Sequence, residues 1–84
     1  MSKIKKTLSA LLEGRSDANF DFSDLSFILA RAGFTLRQGK GSHQIYFKEG
    51  VDEIINLQPR GSQAKAYQVK QVRDIIVKYQ IEID

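Results

Sequence analysis

The sequence predicts an α+β fold: two helices, a three-stranded antiparallel meander and a closing helix. Three observations predict it. Apolar residues recur at helical spacing in three separate stretches. Between the second and third stretch, three short runs alternate apolar with polar residues. Gly33, Gly39, Gly41, Gly50 and Pro59 punctuate those runs, so the connections are short and neighbouring strands run antiparallel.

Taken in order, Ile4, Leu8, Leu11 and Leu12 make one stripe and predict an amphipathic helix over Lys3–Glu13, which Gly14 stops. Gly14-Arg15-Ser16-Asp17-Ala18-Asn19 is a polar joint. Ser23 reads as the N-cap of the next helix, with Phe22 and Phe27 at the two positions of a hydrophobic staple and Asp24 in the first turn. That helix runs over Asp24–Ala32, buries Leu25, Ile28, Leu29 and Ala32, and ends at Gly33. The strands are expected over Phe34–Gln38, Ser42–Lys48 and Glu53–Gln58, with Glu49–Asp52 as a hairpin connection. Pro59 ends the third strand because it cannot donate to a ladder. Val69, Val72, Ile75, Ile76 and Tyr79 line one face of a helix over Ala66–Tyr79. The tail, Gln80–Asp84, alternates like a short strand able to pair with a sheet edge or another chain.

Eighty-four residues make a single domain, 1–84: a helical extension and joint over 1–19, a core over 20–79 and a tail over 80–84. The chain has no cysteine, so it carries neither a disulfide framework nor a thiolate metal site. One histidine remains, and Asp52-Glu53 reads as a solvated turn, so no metal and no cofactor are expected. The basic start at Lys3, Lys5 and Lys6 leads into no apolar run long enough for a secretory signal, and nothing reaches membrane-spanning length. A cytoplasmic protein without a membrane partner is expected. The net charge of +3 and pI of about 9.3 permit nucleic-acid contact without demanding it.

Chemistry concentrates in Gly39-Lys40-Gly41-Ser42-His43-Gln44-Ile45-Tyr46-Phe47-Lys48, a glycine turn opening into the second strand. The glycines permit positive φ or close backbone approach. Alternation puts His43, Ile45 and Phe47 on one face and Gln44, Tyr46 and Lys48 on the other. Ile45 and Phe47 read as buried, so a bulge at Gly41-Ser42, or a place beyond the helix layer, is needed to free the His43 ring. Ser42 points away from His43, which argues against a serine–histidine nucleophile. Arg37, Lys40, Lys48, Arg60, Lys65 and Lys70 are candidates to line a groove for a phosphate backbone, with backbone N–H groups at Gly41 and Ser42 assisting. Tyr46 and Tyr67 are candidates to stack on bases; half-buried packing is the plainer reading of both.

A helix, then Ala32-Gly33-Phe34, a short strand, Gly41-Ser42-His43-Gln44-Ile45-Tyr46-Phe47, a meander and a final helix resembles the HicA toxin family over roughly Ser23–Tyr79. The resemblance implies an α-β-β-β-α fold like that of double-stranded-RNA-binding domains, with the first helix additional. It implies a ribosome-independent, metal-independent endoribonuclease that cuts messenger RNA and arrests growth. His43 takes the place of the family's catalytic strand histidine. A HicB-type antitoxin is implied as the partner that covers the site in a hetero-oligomer. Two positions depart from the family: Gln44 stands where many members have a second histidine, and Asn56-Leu57-Gln58-Pro59-Arg60 has none. Two other readings therefore stay open: a non-catalytic RNA-binding module, and a protein-interaction domain docking through Ile81 and Ile83.

RNA cleavage without a metal uses the substrate's 2′-hydroxyl as nucleophile. It needs a base, an acid for the leaving 5′-oxygen and donors for the developing charge. Histidine serves either proton role. One histidine does not serve both in a single step, so Lys40, Tyr46 or a bound water must share the work, and the enzyme is expected to be slow.

Overall fold

The computed structural model describes residues 3–14, 17–41 and 43–83. Ser42, Arg15-Ser16 of the predicted joint and Asp84 of the tail lie outside them. The elements are α1 (Lys3–Glu13), a 3-10 turn (Asp17–Asn19), α2 (Phe22–Arg31), β1 (Thr35–Gln38), β2 (Gln44–Phe47), β3 (Ile55–Leu57) and α3 (Ala66–Lys78). The sheet is antiparallel with order β1-β2-β3, so the α+β class and the meander are as expected. Each strand is shorter than its alternating run.

The helices lie on one face of the sheet. Tyr46, Ile55 and Leu57 turn toward them and are buried with Leu25, Ile28 and Leu29 of α2 and Val69, Val72, Ile75 and Ile76 of α3. Burying apolar surface on this one face is the main force that orders the chain. Ile4 and Leu11 are buried in the same core, so α1 is part of the domain rather than an appendage; Leu12 of its predicted stripe is exposed.

α2 begins at Phe22 with Asp21 as N-cap, two residues before the expected Ser23, and the cap makes no side-chain bond. The reason is tertiary. Phe22 N–H donates to the Ser62 carbonyl at 3.0 Å, and Ala64 N–H donates to the Phe20 carbonyl at 2.8 Å. The segment before α3 thus satisfies the first N–H of the helix and fixes its start at Phe22. Phe22 consequently sits inside the first turn and not at the staple position before it.

Two helices end alike. Phe34 N–H reaches the Leu29 carbonyl (3.0 Å) and Gly33 N–H the Ala30 carbonyl (3.2 Å), with Gly33 at φ 92°. Ile81 N–H reaches the Ile76 carbonyl (3.1 Å) and Gln80 N–H the Val77 carbonyl (3.3 Å), with Gln80 at φ 50°. Both are Schellman closures. The second turns Ile81 and Ile83 back onto the core, where they are partly buried. The tail is therefore not the strand its alternation predicted, and those two side chains are not a free docking edge.

Two polar clasps tie distant segments together. Arg73 of α3 donates from Nη1 to the Leu11 carbonyl (3.2 Å) and to Asp17 Oδ1 (2.8 Å), and from Nη2 to Asp17 Oδ2 (3.0 Å). It closes the C-terminal end of α1 and holds the 3-10 turn. A Cβ at Gly14 would come within 3.2 Å of Nη1, so glycine makes room for the guanidinium. Around the β2–β3 connection, Glu53 accepts from the Tyr79 hydroxyl and pairs with Lys78 at 3.0 Å, and Asp52 N–H donates to the Tyr79 oxygen at 3.3 Å. The Tyr79 hydrogen bond, then that of Lys78, holds the Glu53 carboxyl below its ordinary value of 4.5. A third contact seals an edge. The buried Gln68 carboxamide lies against the outer side of β3. Its nitrogen can reach the Asn56 carbonyl at 3.3 Å. Turned over, its oxygen accepts from Gln58 N–H at 3.1 Å and its nitrogen donates to Gln58 C=O at 3.3 Å. The turned orientation makes two bonds and opposes no like groups, so it is the one adopted.

Arg73→Ala removes a guanidinium shared by three acceptors and leaves Asp17 half-buried without it. The expected loss is about 2 kcal/mol, read as a fall of about 10 °C in melting temperature. For Glu53 the folded-state pKa is depressed, so its stabilisation is present above the unfolded value of 4.5 and disappears as pH falls through the folded value. The melting-temperature gap between wild type and Glu53→Gln should be flat above that pH and narrow below it; a gap that widens on acidification would contradict the sign.

Candidate nucleic-acid interface

The loop from Gly39 to His43 places the only histidine. Gly39 N–H donates to the His43 carbonyl at 3.0 Å, and His43 N–H to the Lys40 carbonyl at 3.2 Å. A Cβ on Gly39 would lie 3.2 Å from His43 Cβ and 3.3 Å from its carbonyl oxygen, so a side chain at residue 39 would press the two strands apart here. Gly41, at φ 61°, is the open tip. Ser42, expected to assist phosphate binding, falls outside the described residues.

The two faces of β2 are the reverse of the expected burial. Tyr46 is the buried one, 3% exposed, and Phe47 is 40% exposed. Register explains this: Tyr46 pairs with Ile55 and Gln44 with Leu57, the two strand residues with no exposure at all, so the helices cover their side. His43, Ile45 and Phe47 therefore share the uncovered face, and no bulge is needed to free the imidazole. Tyr46 is core: its hydroxyl donates to Gln44 Oε1 at 3.0 Å, and it neither stacks on a base nor shares proton transfer.

On the open face Arg37, Ile45 and Asn56 form one row across the three strands. His43 reaches that row diagonally, with Nδ1 3.2 Å from Asn56 Oδ1. If the amide oxygen faces the ring, Nδ1 carries the proton and Nε2 is left as a base. The imidazole lines a surface cavity of about 310 Å³ with Asn56, Ile54, Gln71 and Tyr67. Tyr67, 65% exposed at the start of α3, also borders a second cavity of about 580 Å³ lined by Arg60, Gln63 and Lys65. Arg60 and Gln63 close that loop by exchanging backbone bonds of 2.7 and 3.0 Å around Gly61 at φ 62°. Lys65 Nζ donates to Gln58 Oε1 at 3.4 Å.

The structure thus joins His43 to Tyr67 across one cavity and Tyr67 to Lys65 and Arg60 across the next; Arg37 shares the open face with His43, and Lys40 lies in the exposed turn before it. It separates Lys48, whose ammonium group lies over Gly33: a Cβ there would be 2.8 Å from Nζ. That places Lys48 at the C-terminal end of α2, where a cation suits the dipole. Lys70 pairs with Asp74 at 2.7 Å on the exposed side of α3. Asn56 was not singled out by sequence. Its signal was there: with Ile55 and Leu57 inward, Asn56 had to point outward beside the second strand. Neither a family model nor a curated protein nor a solved structure matches the chain.

The pairing predicts a tautomer. Nitrogen NMR of the single histidine should show Nδ1 protonated and Nε2 bare at a pH where the ring is neutral. Asn56→Ala should return the ring to the mixture seen in free peptides. An unchanged tautomer ratio would mean that Asn56 does not hold the ring.

Proposed function

We propose that the chain is a ribonuclease toxin of the HicA kind, on a fold like that of double-stranded-RNA-binding domains, cutting messenger RNA with His43 and restrained by a HicB-type antitoxin. The observation that carries the reading is the place of the only histidine: on the uncovered face, oriented through Nδ1, in a cavity whose exposed tyrosine also borders a second cavity lined by two cations. RNA lying across these two cavities would meet Lys65 and Arg60 with its phosphates and Tyr67 with a base. His43 Nε2 takes the 2′-hydroxyl proton as that oxygen attacks the adjacent phosphorus. The P–O5′ bond breaks, leaving a 2′,3′-cyclic phosphate and a 5′-hydroxyl. Arg37 and Lys40 offer charge for the phosphorane oxygens. Since Tyr46 is buried, a bound water or Lys40 must protonate the leaving oxygen, which fits a slow enzyme. The exposed Phe47 and Ile54 beside the site suit a surface that an antitoxin covers.

Induced expression of wild type should arrest growth and deplete messenger RNA, whereas His43→Ala, equally abundant and folded, should do neither. RNA binding without cutting by the wild type would instead favour the non-catalytic module. Lys65→Ala should weaken binding of single-stranded RNA and reduce the log–log salt slope by about 0.7, one phosphate contact. An unaltered slope would take Lys65 off the RNA path.

A further inference from the structure

The sheet has two edges, and the protein treats them differently. An uncovered edge is a template for another strand, and folded proteins usually block it. The β3 edge is capped just past the strand's end by Gln68, whose amide takes the Gln58 backbone groups in place of a neighbouring strand. Among the described residues nothing comparable covers β1. All four of its residues are exposed, Leu36 to 49%, and β1 contains no proline.

The phase of the ladder shows which groups are on offer. In an antiparallel pair, hydrogen-bonded positions alternate. The Gly39-to-His43 bond sets that alternation, so Thr35 and Arg37 spend their backbone groups on β2. Leu36 and Gln38 turn their N–H and C=O outward.

Charge selects what pairs with them. From Leu25 to Lys48 the chain carries Arg31, Arg37, Lys40 and Lys48 and no acidic residue. A second copy would bring two such runs together, and in the register centred on Arg37 it would oppose guanidinium to guanidinium. An acidic strand meets no such penalty. The side chains specify the rest. A residue opposite Leu36 lies on the helix side of the sheet, against half-exposed apolar surface, and a residue opposite Arg37 lies on the open face.

We propose that β1 is a docking edge for an extended segment of a partner protein in which acidic residues alternate with apolar ones, added as a fourth strand through Leu36 and Gln38. This goes beyond the ribonuclease reading and holds whether or not the chain cuts RNA.

The test is an NMR titration of the full chain with a short blocked peptide alternating glutamate and valine, taken to millimolar concentration. The Leu36 and Gln38 amides should shift and gain protection from hydrogen exchange, and a lysine–valine peptide should leave them unchanged. Leu36→Pro deletes one outward donor without touching the β2 ladder and should weaken binding about three- to tenfold. Arg37→Glu leaves every backbone donor in place and should reverse the preference toward the lysine peptide, which keeps the proposal testable if the proline variant fails to fold. Absence of any response at β1, a response centred on Ile45 and Phe47 of the open face, or self-association of the free chain through β1 would each overturn it.

Discussion

The structure depends on one constraint: a three-stranded sheet has two faces and the helices cover only one. Tyr46, Ile55 and Leu57 bury themselves against α2 and α3, and period-two alternation then fixes the direction of every other strand side chain. His43 is outward because Tyr46 is inward. Arg37 and Asn56 are outward because each lies opposite Ile45. The candidate site is therefore a by-product of core packing, assembled on the face that folding leaves bare.

Clasps between segments far apart in sequence make that arrangement one unit. Arg73 draws α1 and the 3-10 turn to α3, and Glu53 joins the β2–β3 connection to the end of the same helix. α3 and the residue after it thus carry both clasps, and α3 also lends Gln68 to the edge beside β3 and presents Tyr67 beside the histidine. In the proposed ribonuclease, the helix that stabilises the domain also borders the RNA route.

Much of this was legible in the sequence, because helices and strands write their periods into it. The order of elements, Gly33 as a stop and the apolar stripe of α3 all follow from spacing and turn chemistry. The misread positions share a cause: burial along one strand depends on partners in another. Ile45 and Phe47 look more apolar than Gln44 and Tyr46, yet Ile55 and Leu57 of β3 decide which pair goes inside. Likewise Ser23 is the better cap in isolation, but the Ser62 carbonyl binds Phe22 N–H and moves the helix start forward. The tail alternates like a strand, but a left-handed Gln80 folds it onto the core. Alternation with Ile55 and Leu57 gives Asn56 its outward direction, but its bond to His43 belongs to the neighbouring strand.

The turn between β1 and β2 combines two opposite tolerances. At its tip a Cβ on Gly41 would meet nothing, whereas at its base one on Gly39 would press on His43. A side chain at the apex has room, but the left-handed φ of Gly41 strains any residue other than glycine. The number of residues is held as tightly. Adding or removing one would slip β2 by a single step against its neighbours and exchange its sides, sending the imidazole into the core and the phenol into water. Loop length, as much as loop composition, is the inherited quantity here, and natural variants of this hairpin should keep count.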